Sequence, residues 1–148
     1  MLAVTAGILL AACATTPVAP HVAYPATYQV QVGNTQVLSA YGPQNSNVTA
    51  AQQITVQPGV VLYYQVVSPV AVTVFVYQDN ADATRTLIGQ MQGTTFNSTV
   101  TPGTGSLEYA FAVANANSSG TLQFTVSDQP LAAAPPPTAA PPPTMPTQ

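Results

Sequence analysis

Few side chains in this 148-residue chain could do chemistry. Apart from one histidine, His21, and one cysteine, Cys13, the ionisable set is Asp79, Asp82, Arg85, Glu108, Asp128 and the tyrosines. Charged residues make up 3% of the chain, against about 25% in an average globular protein. Acid–base or nucleophilic catalysis needs such groups to converge in one pocket. A Ser-His-Asp or Cys-His site needs a histidine in the folded body, and His21 lies in a proline-bearing stretch near the start, where a lone imidazole is solvated. A glycosidase-like carboxylate pair would have to come from Asp79, Asp82, Glu108 and Asp128. Asp79 and Asp82 share a loop, Glu108 opens a strand and Asp128 closes the body, so the spacing does not converge them. The expectation is a protein that is not an enzyme.

Two binding chemistries remain open. Asp79, Asn80 and Asp82 could offer oxygens to calcium, which takes about 6–8 of them, but the stretch lacks EF-hand spacing and length. It reads more simply as a turn in which Asp and Asn cap their own backbone, with Arg85 pairing nearby. Tyr63, Tyr64, Tyr77 and Tyr109 could stack on sugar rings, although the chain has no tryptophan. Tyr63 and Tyr64 are adjacent in a strand and must face opposite sides, so one of them belongs to the core. Asn47, Asn97 and Asn117 open glycosylation sequons, which arise by chance in a chain this rich in Asn, Ser and Thr. A nucleic-acid reader needs a basic patch, and one arginine cannot supply it.

The cysteine gains meaning from what precedes it. Met1 to Ala12 is almost wholly apolar. That is shorter than the roughly 20 residues a spanning helix needs, and it matches the 7–15 or so of a signal peptide's hydrophobic region. The run ends in Leu10-Ala11-Ala12-Cys13, which resembles the lipobox of bacterial lipoproteins. The resemblance implies that Leu10, Ala11 and Ala12 are read by the signal peptidase and that Cys13 becomes the lipidated mature N-terminus. No Lys or Arg precedes the run, a departure that points to a true start upstream of Met1. Several acyl chains on one cysteine suffice for stable anchoring. Ala14, where an aspartate would signal inner-membrane retention in enteric-type bacteria, leans the address toward the outer membrane.

The remainder divides by proline. Residues 13–25 form a tether with Pro17, Pro20 and Pro25, extended and polyproline-like. Residues 129–148 are dense in Pro and Ala without charge, too poor in buriable surface to fold. Between them the body, 26–128, holds only Pro43, Pro58, Pro69 and Pro102 of the 15 prolines, each placed where a strand would begin or end. Period-two patterns recur in the body. Val70, Val72, Val74 and Val76 point one way, Ala71, Thr73, Phe75 and Tyr77 the other. Tyr109, Phe111 and Val113 alternate likewise, as do Leu122, Phe124 and Val126. Strands are expected near 27–32, 35–40, 48–56, 60–67, 70–78, 84–91, 94–100, 106–114 and 120–127, separated by Gly, Pro and Asn turns. The expected fold is all-β: one antiparallel β-sandwich or jelly roll of 7–9 short strands.

From Val56 to Val126 the chain also resembles the pre-peptidase C-terminal sandwich domains of secreted bacterial enzymes. The matching stretches are Pro58-Gly59, Leu62 to Tyr64, Val70 to Tyr77, Asp79 to Asp82, Tyr109 to Val113 and Gly120 to Val126. The usual aspartate-rich stretch and catalytic partner domain are missing. That resemblance implies a non-catalytic binding or stabilising module. The functional expectation is a lipid-anchored envelope protein for assembly or protein interaction, with an envelope protein or a second copy as partner and no cofactor beyond the lipid on Cys13. Pairing would run through an unguarded β edge such as 60–67. The alternative is a surface module for carbohydrate or another small ligand.

Overall fold

The computed structural model describes residues 23–33, 37–41 and 47–133. Cys13 and its neighbours Leu10, Ala11 and Ala12, nearly all of the tether, and residues 134–148 lie outside the described residues. Among those described there are six strands: β1 (Ala26–Val32), β2 (Val48–Thr55), β3 (Leu62–Asp79), β4 (Arg85–Val100), β5 (Ser106–Val113) and β6 (Gly120–Ser127). The all-β reading holds, but the strands are fewer and two are much longer than expected. β3 runs through Ser68-Pro69 and β4 through Gly93, so two pairs of expected strands are each one bent strand.

The bend explains the architecture. β3 and β4 pair from Leu62↔Val100 to Val67↔Thr95 and again from Val72↔Gly93 onward. Four residues of β3, 68–71, therefore face only Thr94 of β4, and such an excess bends a ribbon. Pro69 sits in this unpaired stretch, where its missing N–H costs no ladder bond. On its other side β3 changes neighbour at the bend. Its first half pairs with β6 (Tyr63↔Ser127 to Val67↔Gln123), its second with β5 (Val72↔Val113 to Asp79↔Ser106). With β1 on β6 and β2 on β5, the result is one antiparallel sheet in the order β1-β6-β3-β5-β2, curled so that its halves face each other.

Alternation fills the space between the halves. Leu62, Tyr64, Val66, Val72, Val74 and Val76 of β3 are buried, as are Leu107, Tyr109, Phe111 and Val113 of β5 and Leu122, Phe124 and Val126 of β6. The two halves meet through rings: Tyr109 and Phe124 have centroids 4.7 Å apart, Phe111 and Phe124 5.3 Å, and Tyr64 and Tyr109 5.3 Å.

A second, smaller cluster lies on the outer face of the β5 half, where Val48, Tyr77, Ala110 and Ala112 are buried beneath Leu38, Tyr41 and Phe75. Here the described part of the expected strand at 35–40, from Val37 on, leads instead into a 3₁₀ turn, Ser39–Tyr41. The reason is geometric. Leu38 and Tyr41 are three apart, which a strand sends to opposite faces and a 3₁₀ turn brings to the same one. The Leu38 N–H, bonded to the Val48 carbonyl at 2.9 Å, ties the turn to β2.

Two features fix the end of β3 against the turn before β5. Gln78, buried at 4% exposure, holds the turn before β5: its amide nitrogen donates to the Thr104 and Ser106 carbonyls, and its oxygen accepts the Gly103 N–H at 2.8 Å. In the same turn Gly105 has φ +111°, and a Cβ there would stand 1.9 Å from the Asp79 carbonyl oxygen. Gly105→Ala is expected to cost about 2–3 kcal/mol, from backbone strain plus displacement of the end of β3. Chemical denaturation of the two proteins checks this, and an unchanged midpoint would refute it.

After β6 the chain turns back over the sheet. Gln65 and Asn97 both donate to the Ala132 carbonyl, at 3.0 and 3.1 Å. The start of the Pro/Ala-rich segment is thus held by side-chain amides, where the sequence suggested extended, unpacked chain from 129 on.

Candidate functional site

Three of the five charged residues come together. At the outer end of the β5 half, the Arg85 Nε donates to Asp79 Oδ1 at 2.8 Å and its Nη2 to Glu108 Oε2 at 2.5 Å. Tyr41 donates its hydroxyl to the other Glu108 oxygen, Oε1. The Gln53 amide donates to Asp79 Oδ2 at 3.3 Å and to Ser106 Oγ at 3.0 Å. The guanidinium lies 5.3 Å from the Tyr41 ring centroid and 5.6 Å from that of Tyr77, within cation–π range.

Register brings these groups together. Asp79 ends β3 opposite Arg85 at the start of β4 and opposite Ser106 at the start of β5. Glu108 lies two residues further along β5, opposite Tyr77. The 3₁₀ turn delivers Tyr41 from above.

The electrostatics are those of a clasp. Each of the four carboxylate oxygens accepts a hydrogen bond or ion pair from a neighbouring side chain. Burial alone would lower the Arg85 pKa, but the hydrogen bond to Asp79 and the charges of Glu108 and Asp79 raise it. Burial also raises the Tyr41 pKa, and its bond to Glu108 adds to this. Arg85→Met removes the only cation between two carboxylates, one of which (Glu108) is 14% exposed. The expected loss is about 1–2 kcal/mol, less than for a fully buried pair because the arginine is partly solvated. Faster proteolysis within residues 37–41, detected by mass spectrometry, would accompany it. Equal cleavage rates would show that the clasp does not hold the turn.

The calcium candidates are engaged in a turn. Asp82 Oδ1 accepts the Thr84 N–H at 3.0 Å and the Thr84 hydroxyl at 2.6 Å, and these bonds lower its pKa. The Asn80 amide donates to the Thr84 and Thr86 hydroxyls. Asp79 belongs to the clasp. An open cleft of about 410 Å³ beside it is lined by Ala40, Asp79, Asn80, Ala83, Thr84 and Arg85. Among the described residues no group of three or more His, Cys, Asp or Glu side chains is placed to hold a metal ion.

The four tyrosines separate by face. Tyr64 and Tyr109 are buried in the main core and Tyr77 in the smaller cluster, so their rings are not presented for stacking on a sugar. Tyr63 points outward and is half-buried.

The outer face of the other half carries a different chemistry. Rows of uncharged polar side chains cross it: Thr27 opposite Thr125, Gln29 opposite Gln123, and Gln65 between Thr125 and Asn97. They bond laterally, Thr27 to Thr125 at 3.1 Å, Thr121 to Gln31 at 2.7 Å and Gln65 to Asn97 at 3.1 Å. A shallow groove of about 590 Å³ beside Pro69 opens onto this array.

Sequence reasoning placed Arg85 near Asp79 but missed Glu108, Tyr41 and Gln53, which reach the clasp only through strand pairing. The available signal was stoichiometric, since one cation among four acids draws whichever carboxylates the fold brings near it. It also misplaced the free edge. Residues 62–67 lie between β4 and β6, in the interior of the sheet. The outermost strands are β1, β2 and β4.

Comparison of the chain with protein-family models, with curated proteins and with solved structures found no match.

Proposed function

We propose that this chain is a lipid-anchored bacterial envelope protein whose body, 26–128, is a β-sandwich serving as a non-catalytic assembly or protein-interaction module. The observation that carries the reading is the clasp. Three of the five charged groups are spent on holding a turn, and the polar surface left over is mostly uncharged hydroxyl and amide with open strand edges. Such a surface suits docking onto a partner while tethered, since edges without charged guards are prone to pair. Cys13 supplies the anchor through its acyl chains, and Ala14 directs it to the outer membrane. No cofactor is needed beyond that lipid.

The test is to express the full-length protein beside Cys13→Ser, cross-link whole cells and identify what co-purifies from the membranes. The reading expects the wild type in the membrane with one dominant partner or with copies of itself, and Cys13→Ser released. Identical soluble fractionation of both refutes the anchor; membrane residence without any cross-linked partner refutes assembly.

A second reading, a carbohydrate-binding module, is favoured by the amide and hydroxyl rows with the half-exposed Tyr63 on the same face of β3. A glycan array or peptidoglycan pull-down with no signal above that of Tyr63→Ala would remove it.

A further inference from the structure

We infer that the free edge of β4 at residues 95–99 pairs two-fold with the same edge of a second copy, joining two sheets into one continuous antiparallel sheet. This deepens the assembly reading by naming the partner and the surface, and so rests on it.

The three outermost strands are not equivalent. Beside β2 the Leu38 N–H bonds to the Val48 carbonyl. The seven residues of β1 run directly into Gly33, whose N–H bonds to the Thr49 hydroxyl at 2.9 Å. β4 is 16 residues long and, among the described residues, pairs with β3 alone. Natural proteins blunt such an edge with charge, proline, a bulge or brevity. The half of β4 that begins at Arg85 has two of these devices: the arginine, and a register shift where Val76↔Gly89 gives way to Tyr77↔Leu87. From Thr95 to Val100 there is none. The stretch has no charge and no proline, and its register with β3 is uninterrupted.

The sequence of that stretch is self-complementary. Thr95-Phe96-Asn97-Ser98-Thr99 reads as a near-palindrome centred on Asn97. A two-fold axis there makes an isologous contact. Each Thr95 faces the other copy's Thr99, the two Asn97 amides face each other, and each Phe96 faces Ser98. Threonine pairs are favourable cross-strand neighbours, and no like charges meet. Thr95, Asn97 and Thr99 lie opposite Val67, Gln65 and Tyr63. Pairing therefore extends the polar rows across the dimer while Phe96 stays on the core side, where it packs.

The test uses the full chain in detergent. Across an antiparallel pair, opposed Cα atoms lie about 4.5–5.5 Å apart, within the range a disulfide can bridge. In a Cys13→Ser background, Asn97→Cys should form an intermolecular disulfide under mild oxidation. Gln123→Cys, on the same face but two strands inward, should not. Wild type should sediment as a dimer, and Asn97→Lys, which sets two ammonium groups against each other, should weaken the dimer at least tenfold, about 1.4 kcal/mol. Asn97→Ala, which gives up the same bonds to Gln65 and Ala132 but adds no charge, separates that structural loss from repulsion at the edge and should weaken the dimer far less.

Equal cross-linking of the two cysteine variants overturns the proposal, as does a wild type that stays monomeric at about 100 µM, where a micromolar Kd would give mostly dimer. If the wild type is monomeric but whole-cell cross-linking still captures another protein, the edge proposal fails and the assembly reading stands. If neither self-pairing nor a partner is found, both fail.

Discussion

Phe124→Ala is expected to lower stability by about 3–5 kcal/mol, the range for emptying a large aromatic site in a packed core. The ring has no solvent exposure. Its centroid lies 6.0 Å from that of Tyr28 in β1, 6.4 Å from that of Tyr64 in β3, and 4.7 and 5.3 Å from those of Tyr109 and Phe111 in β5. It is therefore the side chain through which the β6 half of the curled sheet grips the β5 half. Truncation leaves a cavity ringed by rigid aromatics that cannot collapse into it, which favours the upper part of the range. Domains of this size have a total stability of about 5–15 kcal/mol, so the variant should be close to unfolding. With about 4–8 °C lost per kcal/mol, the melting temperature should fall by at least about 12 °C. Phe124→Leu, which fills most of the volume, should cost much less. Circular dichroism melts of the three proteins decide the matter. A shift of only a few degrees for the alanine variant would mean that the halves do not pack through this ring.

The side of each strand on which a residue lies was legible from alternation alone. Val72, Val74 and Val76 point inward, as do Tyr109 with Phe111 and Leu122 with Phe124. Where strands end was less legible. Ser68-Pro69 and Gly93 look like turns because proline and glycine usually interrupt ladders. Here they mark the bend in strands that continue, a tertiary feature created because β3 changes partner from β6 to β5. The 3₁₀ turn at Ser39–Tyr41 was hidden for a similar reason, since Leu38 and Tyr41 need the particular apolar patch made by Val48, Ala110 and Ala112. The clasp was half legible. Asp79 and Arg85 are six apart across a tight turn, whereas Glu108 and Tyr41 arrive from distant parts of the chain.

Raising the pH above about 10 should progressively destabilise the protein, because the core tyrosines keep protons that the unfolded chain releases. Burial is the first cause that raises the pKa of both Tyr64 and Tyr109. Neighbouring Tyr64 and Tyr24 push Tyr109 further, and a hydrogen bond with Ser98 partly offsets the rise at Tyr64. Unfolded tyrosines ionise near about 10. The stability these two groups confer is therefore complete below that pH. It is lost as pH rises from there through the raised folded values, where the unfolded state binds two fewer protons. The loss should approach about 2.7 kcal/mol per pH unit, at 1.36 or so for each proton. Tyr41, also raised by burial and by its bond to Glu108, adds to the same trend. Urea midpoints measured between about pH 8 and 12, with phenolate absorbance recorded in parallel, should show ionisation and unfolding together. Tyr109→Phe separates this from general alkaline damage. It removes one of the two core titrations and should cut their share of the slope to about half. At neutral pH it should leave stability unchanged or raise it by about 1 kcal/mol, because the buried Tyr109 hydroxyl has no hydrogen-bond partner among the described residues. Equal slopes for wild type and Tyr109→Phe would show that the Tyr109 phenol is open to solvent, and with it the aromatic contact between the two halves of the sheet.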